Sequence, residues 1–505
     1  MENDMSISVK LNGITLTVEK GVLLSDVAMG EKPCGGHGRC GKCKVIATGE
    51  LSPLTDSEKK HLSADEIARG VRLACLTTAL GDCEIRTLKD DESSQILTHG
   101  AASSVELSPA FSKYGVAIDI GTTTLAARLY DTKGSVIADT ARLNPQIEWG
   151  ADVISRIEAS LAGKTDELAA AIRKAIDEMI AELASAANIN ALLIDAVAIT
   201  GNTVMLYLLT EESVEPLSHA PFDAKRLFGE SLCASELALE SLKPETKIYL
   251  PNCISAFVGA DTSCAIISTG LCEGKRVSML ADIGTNGEMA IWNGNVLTVC
   301  STAAGPAFEG VGISMGMRGA DGAIDRVSIV NGELCAHVIG GTAAKGICGS
   351  GLIDAVACML DMESIDETGF LDDDEITVLA PVTLTQNDIR MVQLAKSAIC
   401  AGILTLLDAE SLSVPDVESV YVAGGFGNYL NMKNAEKIGL LPPDVHSKVT
   451  VVGNAALDGA SMLLLNKKLR ENCKMISKSA ITLNLSANKV FSDHYVMGMM
   501  FGEME

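Results

Sequence analysis

The segment "EKPCGGHGRCGKC", Glu31 to Cys43, places Cys34, Cys40 and Cys43 in one glycine-rich loop, and Cys75 follows 32 residues later in "RLACLTT". Thiolates are soft ligands, and three from a bent loop plus one distant in sequence suit a [2Fe–2S] cluster. Gly35, Gly36, Gly38 and Gly41 let the backbone curl so that N–H groups can point at sulfur. A structural zinc site normally pairs two C-x2–4-C arms, and here only Cys40 and Cys43 make one. Cys83 is the rival of Cys75 for the fourth position. Lys32, Arg39, Lys42 and Lys44 make the loop basic, which suits either a solvated surface or recruitment of an acidic electron donor.

The elements that must position these thiols are short. "SISVKLNGITLTVEK" alternates apolar and polar residues on both sides of Asn12-Gly13, which predicts a hairpin. A short helix in "LLSDVAM", a strand in "CKVIA", a helical patch in "DSEKKHLSADEIARG" and a strand in "CEIRTL" complete a small α+β layout. With its five-residue first gap, the segment resembles the adrenodoxin-like [2Fe–2S] ferredoxins of β-grasp fold, and residues 1–89 are expected to form that domain. Residues 90–112, "DDESSQILTHGAASSVELSPAFS", are polar and lack a period, so they read as a flexible linker.

At Tyr114 the texture changes to "YGVAIDIGTTTLAARLYD", and 163 positions later comes "VSMLADIGTNGEMAIWNG". Two copies of Asp-Ile-Gly-Thr, Asp119 to Thr122 and Asp282 to Thr285, each ending an apolar strand, imply an internal duplication. The pair resembles the phosphate-binding hairpins of the acetate kinase, sugar kinase, Hsp70 and actin superfamily, and "SVYVAGGFGN" resembles its adenosine motif. The implied fold class is a multidomain α/β and α+β chain. A β-grasp ferredoxin domain precedes a duplicated actin/Hsp70/sugar-kinase-like (ribonuclease H-like) ATPase body with halves 113–275 and 276–505.

That resemblance implies ATP and Mg2+ as ligands. Asp119 and Asp282 would hold Mg2+ through water, while Gly121, Thr122, Thr123, Gly284, Thr285 and Asn286 would meet phosphate oxygens. Gly424, Gly425 and Gly427 would border the adenosine, and Glu309 in "PAFEG" is a candidate for positioning the hydrolytic water. Gly349, Ser350 and Gly351 in "GICGSGLIDAV" read either as part of the nucleotide site or as a small-residue turn that permits close packing.

"AITGNTVMLYLL", "AFVGADTSCAI", "STAAGPAFEGVGISMGMRGADGAIDRV" and "GICGSGLIDAV", taken with the cysteine loop, resemble the reductive activators of corrinoid enzymes. The resemblance implies ATP-dependent reductive activation, in an anaerobic methyltransferase or O-demethylase system, with one electron passing from the cluster to Co(II) to regenerate Co(I). Expected partners are the corrinoid protein, a low-potential electron donor and, as one option, a second copy of the chain in a homodimer. Two other readings stay open: an ATP-coupled carrier for another low-potential metalloenzyme, and a nucleotide-regulated redox sensor without turnover.

The net charge of −25 opposes a nucleic-acid surface. No run of 18 uninterrupted apolar residues marks a membrane span, and "MENDMSISVK" lacks the regions of a signal peptide, so a cytoplasmic protein is expected. In that setting the fifteen cysteines do not predict a disulfide framework.

Overall fold

Period-two patterning becomes strand in both parts of the chain. The computed structural model describes residues 6–11, 14–28, 43–62, 66–67, 69–87, 106–371, 373–424 and 430–502. Two compact units result, Met1–Ser93 and Ser94–Glu505.

In the first unit β1 (Ser6–Leu11) pairs antiparallel with β2 (Ile14–Glu19), and α1 (Leu24–Ala28) follows. After β3 (Lys44–Leu51) come α2 (Asp56–His61), β4 (Val71–Leu73) and β5 (Ala79–Thr87), giving a mixed sheet of order β2-β1-β5-β3-β4. Val9, Val45, Leu73 and Ile85 are its buried centre. The helical patch breaks at Leu62, and Glu66 and Ile67 beyond it are helical again. Thr55 and Glu58 form a capping box that starts α2, and the chain turns extended at Leu62, whose side chain is buried in this core.

The second unit contains two sheets of one plan. In the first, β6 (Tyr114–Ile120), β7 (Thr124–Asp131) and β8 (Val136–Leu143) form an antiparallel meander. Helix α3 (Thr165–Ala186) crosses to β9 (Ile194–Gly201), and β10 (Glu230–Cys233) and β11 (Lys247–Leu250) complete the order β10-β11-β9-β6-β7-β8. Helix α4 (Ala260–Thr269) leads to the second meander, β12 (Ser278–Ile283), β13 (Gly287–Trp292) and β14 (Leu297–Thr302).

A small sheet of β15 (Ala323–Val330), β16 (Glu333–Val338) and β17 (Gly346–Ile347) follows, then α5 (Gly349–Asp361), the hairpin β18 (Glu375–Leu379) and β19 (Val382–Thr385), and α6 (Gln386–Ala409). With β20 (Ser419–Gly424), β21 (Val449–Gly453) and, beyond α7 (Ala455–Leu465) and α8 (Leu469–Ser479), β22 (Ile481–Thr482), the second order is β21-β20-β12-β13-β14-β22. Helix α9 (Lys489–Met497) ends the described elements. In each sheet two parallel strands lie beside the first strand of a meander, so the repeated tetrapeptide marks a repeat of topology.

Strand parity sets what each face meets. Val116, Ile118 and Ile120 of β6 pack with Ile172, Ile176 and Ile180 of α3. The opposite face carries Ala117, Ala126, Ala196 and Ala198, small enough for Leu457, Ala460 and Leu464 of α7 to lie close. In the second sheet Met279, Ala281 and Ile283 meet α6, and Leu280, Ala290 and Val299 meet Ala265 and Ile266 of α4. Helix α6 has the length and apolarity to cross a membrane, yet most of its apolar stretch is buried in this core. Helices α4 and α7 cross at Gly459, where a Cβ would stand 2.0 Å from the Cys264 carbonyl oxygen.

Packing crosses two sequence-drawn boundaries. Residues 455–479, assigned to the half 276–505, pack against the first sheet before β22 returns to the second, because α7 fills the alanine-lined face of β6 and β9. The last part of the stretch 90–112 is fastened to the body, since Ser108 and Ala110 donate backbone N–H groups to the carbonyls of Leu465 and Leu464, each at 2.9 Å. Phe111 fills the space left by Gly115, where a Cβ would fall 2.4 Å from the ring.

Gly459→Ala forces the two crossing helices apart. The expected cost is about 2–3 kcal/mol of stability, the upper range for overpacking, read as a lower denaturation midpoint with an unchanged slope.

Candidate functional site

The same parity carries two aspartates to one place. Asp119 is the penultimate residue of β6 and lies on the face opposite Ile118 and Ile120, and Asp282 is the penultimate residue of β12 and lies opposite Met279 and Ile283. Asp119 therefore shares a face with α7 and Asp282 with α4. The amide of Asn454, the N-cap of α7, donates to Asp119 Oδ2 at 3.0 Å while its Oδ1 accepts the Leu457 N–H at 2.8 Å. Asp261 lies in the first turn of α4, and Glu288 faces Asp282 across the β12–β13 pair.

Glu309 closes the cleft. Its Oε2 accepts from Thr123 Oγ1 at 2.7 Å and its Oε1 from Thr285 Oγ1 at 3.1 Å, so one carboxylate takes a hydroxyl from each hairpin. The two hydroxyl oxygens are 3.5 Å apart. A Cβ on Gly284 would lie 3.4 Å from Glu309 Oε1. Thr122 receives the Asn202 amide on its hydroxyl at 3.2 Å, and its carbonyl accepts from Arg156. Asn144 holds the hairpin from behind by donating to the Gly121 carbonyl at 2.9 Å, and the Asn286 carbonyl accepts the Gly284 N–H at 3.0 Å.

Negative charge is crowded here. Burial pushes the Asp119 carboxyl up to about 7, with the charge of Asp261 adding to the effect and the Asn454 amide opposing it. Burial, then Asp261, Asp119 and Glu309, push Asp282 up to about 7. Burial raises Asp261 as well, and Glu288 is raised well above the ordinary carboxylate range by burial and by Asp261 and Asp282. Burial lowers the pKa of Arg318, and Glu309 partly restores it. Hard oxygen donors suit a divalent cation, and because no three carboxylates among the described residues converge closely enough to ligate one directly, a cation here would be held through water.

Gly424 has φ +123°, and a Cβ there would meet the Ile283 carbonyl oxygen at 2.3 Å, which brings the end of β20 to the cleft-side end of β12. Gly425 and Gly427 lie outside the described residues. Gly349, Ser350 and Gly351 open α5 and are buried. The Ser350 hydroxyl donates to the Asp325 carbonyl at 2.8 Å, and a Cβ on Gly351 would stand 2.2 Å from the Ile324 carbonyl oxygen, so these residues serve the packing of α5 on β15.

In the first unit Cys43 and Cys75 are buried with their Sγ atoms 3.1 Å apart. Two thiolates on one tetrahedral ion with bonds of about 2.3 Å stand about 3.8 Å apart, so this pair fits a shared ion after a small opening. Cys34 and Cys40 lie outside the described residues. The Cys75 turn is framed by Glu58, which accepts from Arg72 Nε at 2.9 Å, from Leu73 N–H at 3.2 Å and from Thr77 Oγ1 at 3.1 Å. Burial would raise the Glu58 pKa, but Arg72 and the Thr55 and Leu73 N–H groups hold it down to about 2. Cys83 sits within β5 against Gly49, and burial with the charge of Asp82 raises its pKa, which disfavours the thiolate. Lys44 is engaged with Glu66 at 2.7 Å.

Asp261, Glu288, Asn202 and Asn454 received no role from the sequence. A signal for the asparagines was present: each follows a glycine that ends an apolar strand and precedes a helix, in "ITGNT" and "VVGNA".

Two sheets of one topology, each delivering an Asp-Ile-Gly-Thr hairpin to a shared carboxylate cleft, define an ATPase fold of the ASKHA class. Residues 276–505 match the family model described as the C-terminal domain of RACo, the ASKHA domain, and residues 114–274 match the RACo middle region. The chain belongs to the RACo family. It is 35% identical over 421 residues to the corrinoid activation enzyme RamQ of Eubacterium limosum, spanning 77% of this chain and 70% of that one. Identity is 26% over 420 residues to a [Co(II) methylated amine-specific corrinoid protein] reductase of Methanosarcina barkeri, spanning 77% of each. A solved reductive activator for corrinoid,iron-sulfur protein superposes with a TM-score of 0.73 at 28% identity over 99% of both chains.

The raised carboxyls make stability depend on pH. Asp119 ionises near 3.8 when unfolded and near 7 when folded, so its contribution is present at low pH and is lost as pH rises through about 7. In magnesium-free buffer Asp119→Asn should match the parent near about pH 4 and exceed it at about pH 8 by on the order of 2 kcal/mol, a full shift reduced for partial hydration of the cleft. Thermal melts across that range check it, and a constant gap would contradict it.

Proposed function

We propose that this chain uses ATP to activate a corrinoid protein reductively, returning Co(II) to Co(I). The observation that carries the reading is the presence, in a RACo-family chain, of a buried thiol pair in one unit and a two-hairpin carboxylate cleft in the other.

Cys34, Cys40, Cys43 and Cys75 would hold a [2Fe–2S] cluster in a ferredoxin-like unit of β-grasp layout. When bound, it supplies a one-electron store between a low-potential donor and the corrinoid protein. Glu58 keeps the Cys75 turn fixed by its bonds on both sides of that residue, at Leu73 and Thr77.

In the cleft Asp119 and Asp282 would hold Mg2+ through water, and the hydroxyls of Thr122, Thr123 and Thr285 with the Asn286 amide would donate to phosphate oxygens. Glu309 already engages both Thr123 and Thr285. Phosphate arriving between these hydroxyls frees its carboxylate to orient the attacking water. Gly424 and Gly425 would border the adenosine.

Nucleotide matters because the reduction runs uphill. Each 100 mV against one electron costs about 2.3 kcal/mol, and a coupling of about 1–3 kcal/mol between ligand sites offsets a gap of that size. Larger gaps require stronger coupling or an irreversible hydrolytic step.

Mixing the reduced protein with a Co(II) corrinoid protein should give Co(I) absorption with Mg-ATP and little without it. Equal yields in the two conditions would defeat the proposal. For the ligand set, Cys75→Ser should lose most of the visible iron–sulfur absorption of the purified chain and Cys83→Ser should retain it. The reverse pattern would move the fourth ligand to Cys83.

A further inference from the structure

Two rigid elements run from the acidic cleft to the point where the body takes hold of the segment preceding it. One is β6, which begins at Tyr114 and carries Asp119 near its far end. The other is α7, whose eleven residues span about 16 Å. At its start Asn454 is committed at both ends of its amide, Oδ1 to the Leu457 N–H and Nδ2 to Asp119 Oδ2. Asn454 follows β21 of the second sheet and Asp119 belongs to the first, so this side chain joins the halves at the cleft floor.

Helix α7 is buried over most of its length and held laterally. Gly459 presses on the Cys264 carbonyl of α4, and Asp458 is paired with the buried Arg128 of β7 at 2.5 Å. At its far end the carbonyls of Leu464 and Leu465 have no continuing helical turn to bond. They accept the N–H groups of Ala110 and Ser108, each at 2.9 Å, and the Lys467 N–H donates to the Ser108 carbonyl at 3.0 Å. Lys468 adds an ion pair to Glu106 at 3.1 Å. The segment Glu106–Ser112 thus reaches the body through the end of α7, through Phe111 on Gly115 of β6, and through Ser112, whose N–H and hydroxyl donate to Asp195 of β9.

We propose that Asn454 is a positioning residue that sets Asp119 for the nucleotide-bound cation and, through α7, ties occupancy of the cleft to the grip on residues 106–112. The inference rests on the nucleotide reading of the cleft. A cation held through water by Asp119 draws charge from the carboxylate that the Asn454 amide also holds, and so changes the strength and geometry of that hydrogen bond. The same side chain caps α7, so a change at the cleft alters the helix whose other end grips the connecting segment. Coupling of this kind is reciprocal, so loosening the grip must change nucleotide affinity by the same factor.

The test uses the full chain with Mg2+ and a non-hydrolysable ATP analogue. Affinity is measured by calorimetry and hydrogen exchange is followed in the peptide covering 106–112. In the parent protein the analogue should change exchange at Ser108 and Ala110 by about fivefold or more, a coupling within the ordinary range. Asn454→Ser keeps a competent helix cap but is too short to reach Asp119. It should still bind the analogue, with the exchange response reduced to under about twofold.

Ser108→Pro removes one gripping N–H far from the cleft and should shift analogue affinity by about the factor seen in exchange. The inference is overturned if the analogue binds the parent without altering exchange, if Asn454→Ser responds as the parent does, or if Ser108→Pro leaves affinity unchanged. Absence of binding to the parent would instead remove the nucleotide reading itself, and this coupling with it.

Discussion

Like charges held close in a partly dehydrated cleft are the constraint on which the second unit depends. Asp119, Asp261, Asp282, Glu288 and Glu309 come together where two sheets meet, and neutralising them by protonation alone would give a cleft without function near neutral pH. The fold answers with oriented dipoles. Helix α7 begins at Asn454 beside Asp119, and the first turn of α4 contains Asp261, so the N-terminal ends of two crossing helices serve the acidic residues. Small side chains on the inner faces of the sheets let those helices approach closely enough to do so. A cation and phosphate would complete a balance that protein groups leave unfinished.

The paired Asp-Ile-Gly-Thr stretches were legible because local chemistry repeats: an apolar strand, a glycine and a hydroxyl at fixed spacing. Repetition of the sheet order around them follows from the same duplication. Asp261 and Glu288 were not legible. Nothing beside them distinguishes a cleft carboxylate from a surface one, and their role arises only when α4 and β13 are placed beside β12. Gly349 to Gly351 show the opposite limit, since a turn of small residues has one local signature whether a phosphate or a strand comes close.

The cysteine loop divides in the same way. Spacing groups Cys43 with Cys34 and Cys40 and favours Cys75 over Cys83 as the fourth member, and tertiary placement adds that the Cys43 and Cys75 thiols lie side by side. Cys75 lies in a turn framed by the buried Glu58, whereas Cys83 lies inside a strand where its thiol packs against a neighbouring glycine. A linear division at 275 coincides with the limits of the two family models but not with the packing, because a helix near residue 460 completes the first sheet.

That return of the chain bears on biosynthesis. The alanine-lined face of β6, β7 and β9 is only partly covered, by Cys264 and Ile267 of α4, until Leu457 to Leu465 have left the ribosome. The amino-terminal half is therefore made early and finished late, with apolar surface available to chaperones in the interval. A nascent chain stalled before Asn454 would lack the cover for both the older sheet and the connecting segment beside it.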